Sequence, residues 1–339
     1  MSCRLFIDEV LRAGNNATLP DGTMQTRSVL RLVSFAFVLF TAGVVIFYQM
    51  RPVLAYAIYR CLTGADSVLA CIDGKPTGFK TTMFGMLYEG NTADLLDRHV
   101  LGFGAYEKPE LFFLRDVSRG GVFVDIGANK GVHSLFMSKY SKEVHAFEPY
   151  EPVLKRFRQA IQANGIKNIF VHPVGLGDKA QRLIFEEPAK DNDGTGSFAF
   201  ISGSGKHQQL EIVPGDQALE AAGVKIVDLI KMDIEGFERP ALEGLRKTLG
   251  QSRPIVVFEI TIRANNPVLF KSMEQIRSVF PDKYEFFEFG DRNLYTGSYT
   301  IDPLDGFINF ASELEQHNVI AVPTEKKSGI PLKGPVKNI

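Results

Sequence analysis

The sequence predicts an α/β protein built on a mostly parallel sheet with helices on both faces. The apolar run 122–126 leads through a glycine-containing turn into a helical pattern that begins at Val132. A second short strand, 144–147, follows this helix. Farther along, apolar runs at 227–232 and 254–258 are separated by another helical pattern. Alternation of buried strands and helices is typical of a parallel sheet.

The turn after the first strand is the first candidate for a ligand site. It reads Asp-x-Gly-x-Asn-x-Gly, with Asp125, Gly127, Asn129 and Gly131 at the named positions. The next strand ends in Glu148, which should lie at the carboxyl edge of the sheet beside this turn. Glycines allow close approach of a ligand to the backbone, and a carboxylate at this edge suits the diol of a ribose.

The spacing of the turn separates two cofactors. A dinucleotide fingerprint needs G-x-G-x-x-G, so that a pyrophosphate can bind at the helix N-terminus. A carboxylate at Asp125 would repel a pyrophosphate, but it would attract the positive charge of S-adenosylmethionine. We therefore predict S-adenosylmethionine, with a NAD-linked oxidoreductase and a non-catalytic scaffold as alternatives. The predicted cofactor contacts are Asp125, Gly127, Ala128, Asn129, Gly131, Glu148 and Gly175, the last in the loop after a third strand, where adenine would pass.

A second group of acids follows the strand at 227–232. Asp233 and Glu235 come directly after it, and Glu259 follows the strand at 254–258. Methyl transfer to oxygen requires in-line approach of the two reactants and removal of a hydroxyl proton. Asp233 and Glu235 are therefore the predicted catalytic residues, whereas Glu238 is equally well explained as a cap of the following helix.

Other chemistries are less well supported. Asp233, Glu235 and Glu259 are an alternative magnesium site, but they lack a spacing signature, and no metal is predicted. Methylation of exocyclic base nitrogens usually goes with an Asn/Asp-Pro-Pro-aromatic turn, and this position reads Asp-Ile-Glu-Gly. The histidines near strand ends, His133, His145 and His172, are interpreted as packing or capping residues.

Composition excludes a general affinity for nucleic acid. The chain has 38 basic and 39 acidic residues and a net charge of −1. Its three cysteines, at positions 3, 61 and 71, are too few and too scattered for a disulfide framework or a zinc site, and they fit a reducing compartment.

The N-terminal region predicts a membrane anchor. Residues 32–50 are uncharged, and a helix of this length is about 28 Å long, close to the hydrocarbon thickness of a bilayer. A tail, 1–31, precedes it. A cleaved signal peptide is the main alternative, since residues 55–57 have the small-x-small form, and a buried soluble helix is another.

The orientation of this anchor does not follow from flanking charge, because arginines lie on both sides. A domain that uses S-adenosylmethionine should face the cytosol, where that cofactor is made. We therefore expect a single-pass membrane protein whose catalytic domain faces the cytosol.

The remaining segments complete the predicted organisation. A lead-in segment, 66–120, contains glycine-rich turns, a helix within 91–101 and a second helix around 108–117, and it is a candidate cap for the site. The main domain is predicted over 121–310, with a strand at 283–289 and a hairpin partner at 295–301 as its antiparallel end. A polar loop at 191–198 lies between strands, and a tail over 323–339 is predicted to be disordered.

Four motifs together resemble the FkbM family of S-adenosylmethionine-dependent methyltransferases. They lie at 124–131, 147–149, 230–238 and 257–259, and the resemblance covers about residues 85 to 290. It implies a class I methyltransferase fold, with a seven-stranded, mostly parallel sheet and an antiparallel last strand.

The resemblance also implies a reaction and a set of roles. The expected reaction is O-methylation of a hydroxyl on a sugar, a glycan or lipid-linked glycan, or another small-molecule acceptor. Asp125, Gly127, Asn129 and Glu148 would contact the cofactor, and Asp233 and Glu235 would line the site where the methyl group meets the acceptor. The anchor is not part of the family pattern.

Overall fold

A computed structural model of the chain describes residues 78–188, 195–201, 205–263, 266–304, 308–310, 312 and 315–334. The predicted N-terminal tail, the anchor at 32–50 and the first part of the lead-in segment lie outside the described residues. Among the residues that are described, no helix combines the length and the apolarity needed to cross a bilayer.

The lead-in segment contains a β-hairpin and two helices. Strands β1 (Gly78–Met83) and β2 (Met86–Asn91) pair in antiparallel register where the sequence predicted glycine turns. Helix α1 spans Leu95–Phe103 and begins at Asp94, whose side chain accepts a hydrogen bond from the amide of Asp97. Helix α2 spans Lys108–Val117, as predicted.

A nine-stranded mixed sheet forms the centre of the fold. Its strands are β3 (Val122–Ile126), β4 (Glu143–Phe147), β5 (Ile169–His172), β9 (Leu229–Met232), β10 (Ile255–Ile262), β11 (Tyr284–Arg292), β12 (Tyr299–Pro303), β13 (Glu315–Pro323) and β14 (Lys333–Gly334). They lie in the order β14-β12-β11-β13-β10-β9-β3-β4-β5, and the five neighbouring strands from β5 to β10 are mutually parallel. The predicted α/β class is therefore confirmed, with a sheet two strands larger than the predicted seven.

The antiparallel part of the sheet differs from the prediction in its central strand. Strand β13 lies between β10 and β11 and is antiparallel to both. The predicted hairpin of β11 and β12 forms, but it lies outside β13. The sheet therefore extends beyond residue 310, where the sequence placed the end of the main domain.

Helices cover both faces of this sheet, and alternate residues of the strands point to opposite sides. Phe123, Val144 and Leu229 face one core, whereas Val124, Phe147 and Ile230 face the other. Both cores are built from residues with little or no exposed surface. The remaining helices are α3 (Val132–Met137), α4 (Glu151–Ala163), α5 (Gly215–Ala221), α6 (Glu238–Glu243), α7 (Arg246–Gln251) and α8 (Met273–Val279).

A separate three-stranded sheet follows β5 in the chain. It consists of β6 (Gly175–Gly177), β7 (Gln181–Glu186) and β8 (His207–Pro214), in the order β6-β8-β7. The predicted polar loop connects β7 to β8. Within its described part, Ser197 forms a β-bridge with Glu186.

The C-terminal segment differs from the predicted disordered tail. Residues Thr324–Gly329 form a 3₁₀ helix, and β14 pairs with β12. Two ion pairs and one apolar contact hold this segment: Glu325 with Arg253 at 2.5 Å, Lys327 with Glu285 at 2.6 Å, and Ile330 against the core. Composition alone did not indicate these partners. Residues 335–339 lie outside the described residues.

Candidate active site

A cavity lies at the carboxyl ends of β3, β4 and β9, where ligands bind in open α/β sheets. Its volume is about 110 Å³, below the roughly 300–1,000 Å³ of typical ligand pockets. Side chains must therefore move for a nucleotide-sized ligand to enter. The wall includes six of the predicted site residues, namely Gly127, Ala128, Asn129, Glu148, Asp233 and Glu235.

The backbone amides of the glycine turn all donate to acceptors of the protein itself. The amides of Gly127 and Ala128 donate to the carbonyl of Phe147 at 2.9 and 3.1 Å. The amide of Gly131 donates to the carbonyl of Ala128 at 2.7 Å. The amide of Asn129 donates to Glu148 Oε2 at 3.0 Å, and that of residue 130 to Asn129 Oδ1 at 2.7 Å. The turn therefore offers no row of free amides for a phosphate, in agreement with the prediction that it does not bind a pyrophosphate.

Glu148 is fixed at the end of β4 by two backbone donors. Its Oε1 accepts from the amide of Tyr150 at 2.8 Å, and its Oε2 accepts from the amide of Asn129. Burial raises the pKa of Glu148 to about 7, although these hydrogen bonds oppose the rise. A carboxylate oxygen can accept more than one hydrogen bond, so both oxygens retain capacity for a diol.

Two glycines of the turn are required for different reasons. Gly127 has φ +82°, and a Cβ there would lie 1.9 Å from the main-chain oxygen of Asp233. Gly127 thus allows β3 and the loop after β9 to approach each other at the cavity. Gly131 has the same φ, but a Cβ there would meet the ring of Phe157 at 2.0 Å. Gly131 therefore serves the packing of α4, and it is not on the cavity wall.

Asp125 lies beneath the cavity wall rather than on it. It is 1% exposed, and its Oδ2 accepts from the hydroxyl of Ser134 at 2.6 Å. Burial raises its pKa, opposed by the positive charge of Lys231 and by His133. A contact between Asp125 and the cofactor stays a prediction. From its present position, the carboxylate acts on a ligand's charge through a medium of low dielectric constant.

Gly175 is not on the cavity wall. It begins β6 and pairs with Ile212 of β8, and a Cβ at Gly175 would lie 2.6 Å from the Ile212 side chain. The structure explains this glycine by close packing within the small sheet. Its contact with adenine stays a prediction.

The two predicted catalytic acids lie together on the cavity wall. Asp233 accepts from Lys231 Nζ at 3.0 Å through its Oδ2. Burial, together with the negative charges of Asp233 and Glu238, raises the pKa of Glu235 to about 8. Glu235 has φ +52°, in the left-handed region, and its carbonyl accepts from the hydroxyl of Ser197 at 2.7 Å. The loop between β7 and β8 is thus joined to the acidic turn.

Glu259 and Glu238 complete the acidic group. Strand β10 continues through Ile262, so Glu259 lies within this strand and not at its end. Burial and the charges of Asp233 and Glu235 raise the pKa of Glu259 to about 10. Glu238 Oε1 accepts from the amides of Ile234 and Gly236 at 3.0 and 3.3 Å, so this side chain stabilises the turn that leads into α6. The N-cap residue of that helix is Phe237, which provides no side-chain hydrogen bond. In the described part of the chain, the three acids of the magnesium alternative do not converge to ligand distances.

An aromatic and apolar part of the wall was not found from the sequence. Rings of Tyr150 and Phe185 lie 5.4 Å apart, and those of Phe185 and Phe198 lie 5.0 Å apart. Leu96 and Tyr106 of the lead-in segment line the opposite side. Tyr150 follows Glu148 by two residues, which is the one local signal for this wall. The other members come from distant segments that only folding brings together.

Comparison with known proteins identifies the central part of the chain. The model of the methyltransferase FkbM domain matches residues 125–287. Hexuronic acid methyltransferase AglP of Haloferax volcanii is 28% identical over 148 residues, which cover 43% of this chain. The matched part spans 59% of the length of that relative.

Similar solved structures include the methyltransferase FkbM from Methylobacillus flagellatus, with 18% identity and a TM-score of 0.36. That alignment covers 66% of this chain and 53% of the other. M. jannaschii TYW2, solved in complex with AdoMet, has 15% identity and a TM-score of 0.37, with 74% and 87% covered. TM-scores of this size do not establish a common fold, so the assignment rests on the domain match. Residues 125–287 of this chain thus match the methyltransferase FkbM domain.

Proposed function

We propose that this protein transfers a methyl group from S-adenosylmethionine to a hydroxyl oxygen of a sugar, a glycolipid or another small-molecule acceptor. The match of residues 125–287 to the methyltransferase FkbM domain supports the reaction class. The name of the AglP relative, a hexuronic acid methyltransferase, supports a sugar-like acceptor. The observation that best supports S-adenosylmethionine as the cofactor is the buried carboxylate of Glu148, which is held beside an acid-bearing turn.

The glycine turn argues against the NAD alternative. A pyrophosphate binds where free amides at a helix N-terminus point toward it. Here the amides of residues 127–131 are engaged by protein acceptors. The nearby carboxylates of Asp125 and Glu148 add negative charge, which favours a cationic sulfonium over a pyrophosphate.

The proposed methyl transfer needs one proton acceptor, and carboxylates on the cavity wall can supply it. The acceptor oxygen forms a bond to the methyl carbon, and the carbon–sulfur bond breaks with its electron pair returning to sulfur. The hydroxyl proton passes to a carboxylate. Asp233 and Glu235 lie at the cavity for this role, and Lys231 holds Asp233 in place.

The membrane location is part of the same proposal. The uncharged segment at 32–50 would anchor the protein, with the catalytic domain on the cytosolic side. A membrane-bound acceptor, such as a lipid-linked glycan, would then meet the site near the bilayer surface. Deletion of residues 1–50 should release the protein from membranes in a carbonate wash, and retention would contradict the anchor.

Cofactor binding is tested by calorimetric titration of the full chain with S-adenosylhomocysteine, with NAD as the comparison ligand. Glu148→Gln should weaken binding at least about tenfold, because a lost hydrogen bond to a charged group is worth about 1.5–3 kcal/mol. Glu151→Gln, an exposed substitution of the same type, is the matched control. Equal binding by Glu148→Gln and wild type would remove the ribose assignment, and binding of NAD alone would favour the oxidoreductase.

Catalysis is tested with labelled S-adenosylmethionine and membrane glycolipid extracts. Asp233→Asn and Glu235→Gln should each retain binding of S-adenosylhomocysteine. Loss of a general base typically costs about 10²–10⁴-fold in rate. Full transfer activity in both variants would overturn the proposed base, and absence of transfer in wild type with intact binding would favour the scaffold.

A further inference from the structure

A second cluster of ionisable side chains lies behind the cofactor cavity, between α2 and α3. Glu107 directly precedes α2, and Glu110 lies in its first turn. His133 lies in the first turn of α3 and also lines the cavity. The sequence predicts a packing or capping role for His133, because it shows no partner for this residue. Its partners come from a helix that precedes β3.

The three side chains present their ligand atoms to one another. His133 Nε2 lies 3.3 Å from Glu110 Oε1 and 3.5 Å from Glu107 Oε2. All three atoms lie within 4.8 Å of each other. None of these three atoms has a hydrogen-bond partner among the residues that the structure describes. His133 is 7% exposed and Glu110 is 4% exposed, so water is largely excluded.

These separations match those of atoms that share a metal ion. Nitrogen and oxygen ligands lie about 2.0–2.2 Å from Zn²⁺, so two of them at octahedral or tetrahedral angles are about 2.8–3.6 Å apart. The two measured distances from His133 Nε2 fall at or near this range. Buried polar atoms without partners are rare in native proteins and require an explanation.

The charges of the surroundings point to a missing cation. Asp125, Asp233 and the two glutamates of the cluster all lie near the ammonium group of Lys231, and the positive charge of Arg292 also acts on Glu110. Lys231 Nζ donates to Asp233 at 3.0 Å but remains 3.9 Å from Glu110 and 4.0 Å from Glu107. It therefore faces the cluster without hydrogen bonding to it. An uncompensated buried charge is costly, and a bound cation would remove that cost.

We propose that Glu107, Glu110 and His133 bind a divalent transition-metal ion, of which Zn²⁺ and Mn²⁺ are the probes to use. One imidazole nitrogen and two carboxylates form a mixed ligand set suited to these ions and poorly suited to Mg²⁺ or Ca²⁺, which prefer all-oxygen sites. The ion ties the start of α2 to the start of α3. It thereby fixes the lead-in segment against the wall of the cofactor cavity.

The test measures metal directly and does not require methyl transfer. Untagged full chain is dialysed against a chelator, then titrated with Zn²⁺, Mn²⁺ and Mg²⁺ by calorimetry. Bound metal is counted by mass spectrometry. Wild type should bind about one Zn²⁺ or Mn²⁺ with at least tenfold preference over Mg²⁺, and the ion should raise its melting temperature.

Variants locate the site. Glu107→Gln, Glu110→Gln and His133→Gln should each weaken binding by about 10–100-fold or more. Glu259→Gln, a buried acid of the neighbouring group, is the matched control and should stay within threefold of wild type. Circular dichroism of each variant shows whether it is folded.

Three results would overturn the proposal: no metal retained at millimolar concentration, no change in melting temperature with metal, or equal losses in Glu259→Gln and the cluster variants. The last would indicate diffuse attraction by the acidic group. Since binding of S-adenosylhomocysteine is measured separately, failure of the metal site and failure of the proposed function are distinguishable.

Discussion

The buried ion pairs of Lys130 allow a quantitative test of how the lead-in segment is held on the cofactor turn. Lys130 Nζ lies 2.5 Å from Asp94 Oδ1 and 3.2 Å from Asp97 Oδ1. The side chains of the three residues are 2%, 7% and 0% exposed, respectively. We predict that Lys130→Met destabilises the protein, because it removes the cation from the buried carboxylate of Asp94 and one of the two cations from that of Asp97.

The magnitude follows from the contacts that remain. Removing one partner of a buried ion pair typically costs about 3–5 kcal/mol. Asp97 keeps its contact with Arg156 at 2.8 Å and accepts from the hydroxyl of Tyr88 at 2.7 Å. Asp94 keeps only part of its compensation, as it still accepts from the amide of Asp97 at 3.0 Å. We therefore expect a loss near the lower limit, about 3 kcal/mol.

The assay is guanidinium unfolding of the full chain, followed by far-ultraviolet circular dichroism because the protein has no tryptophan. Lys142→Met is the matched control: its side chain is 75% exposed and should cost less than about 0.5 kcal/mol. The double variant Lys130→Met/Asp94→Asn should recover at least about 1 kcal/mol, since asparagine still caps α1. A loss below about 1 kcal/mol in Lys130→Met, or no recovery in the double variant, would refute the reasoning.

Three further predictions concern the acids and the turn at the cavity. The rate of methyl transfer should rise as the pH increases through about 8, because Glu235 has a pKa of about 8 and must lose its proton to act as a base. The Glu235→Gln variant should transfer methyl groups slowly and at a rate that does not depend on pH. A pH-independent rate in the wild type would contradict this role of Glu235. The free energy of unfolding should fall from pH 6.5 to 8.5, by about 1.4 kcal/mol per pH unit for each proton that the folded state retains and the unfolded chain has lost. The folded state retains these protons on its buried glutamates. The buried histidines, whose pKa is lowered, change the free energy of unfolding in the opposite direction below about pH 6.5. Gly127→Ala should lower the free energy of unfolding, measured with denaturant, by at least about 2 kcal/mol more than Gly223→Ala does. Both glycines have a positive φ, but only a Cβ at Gly127 would meet a main-chain oxygen. Equal losses would mean that the loop after β9 moves freely away from residue 127.

The parts of the fold that were predicted correctly are those with a local signal. Strand β3 and helix α2 have the predicted bounds, since a β-branched run and a helical repeat each determine structure over a few residues. Strand β13 has a short apolar run, Val319 to Val322, but its place between β10 and β11 depends on pairing with distant segments. Local patterns do not encode such register, and the sequence therefore predicted the hairpin of β11 and β12 but not the strand that joins it to β10.

The residues of the site also divide into those that have a local signal in the sequence and those that depend on contacts between distant segments. Glu148, Asp233 and Glu235 were found because side chains that follow parallel strands meet at one edge of the sheet. The aromatic wall and the partners of His133 were missed, because they join segments that are remote in sequence. Gly175 was assigned to the cofactor from its position after β5, whereas its lack of a side chain allows close packing of β6 against β8.

The insertion of β13 between β10 and β11 has a consequence for synthesis on the ribosome. Every strand from β3 to β11 emerges before it, yet the central sheet remains divided until residue 323 has left the exit tunnel. During that interval, β10 and β11 each expose an unpaired edge, and exposed edges favour pairing with other chains. A nascent chain stalled before residue 315 would thus be a substrate for chaperones, and premature termination there would give an aggregating product rather than a shortened enzyme.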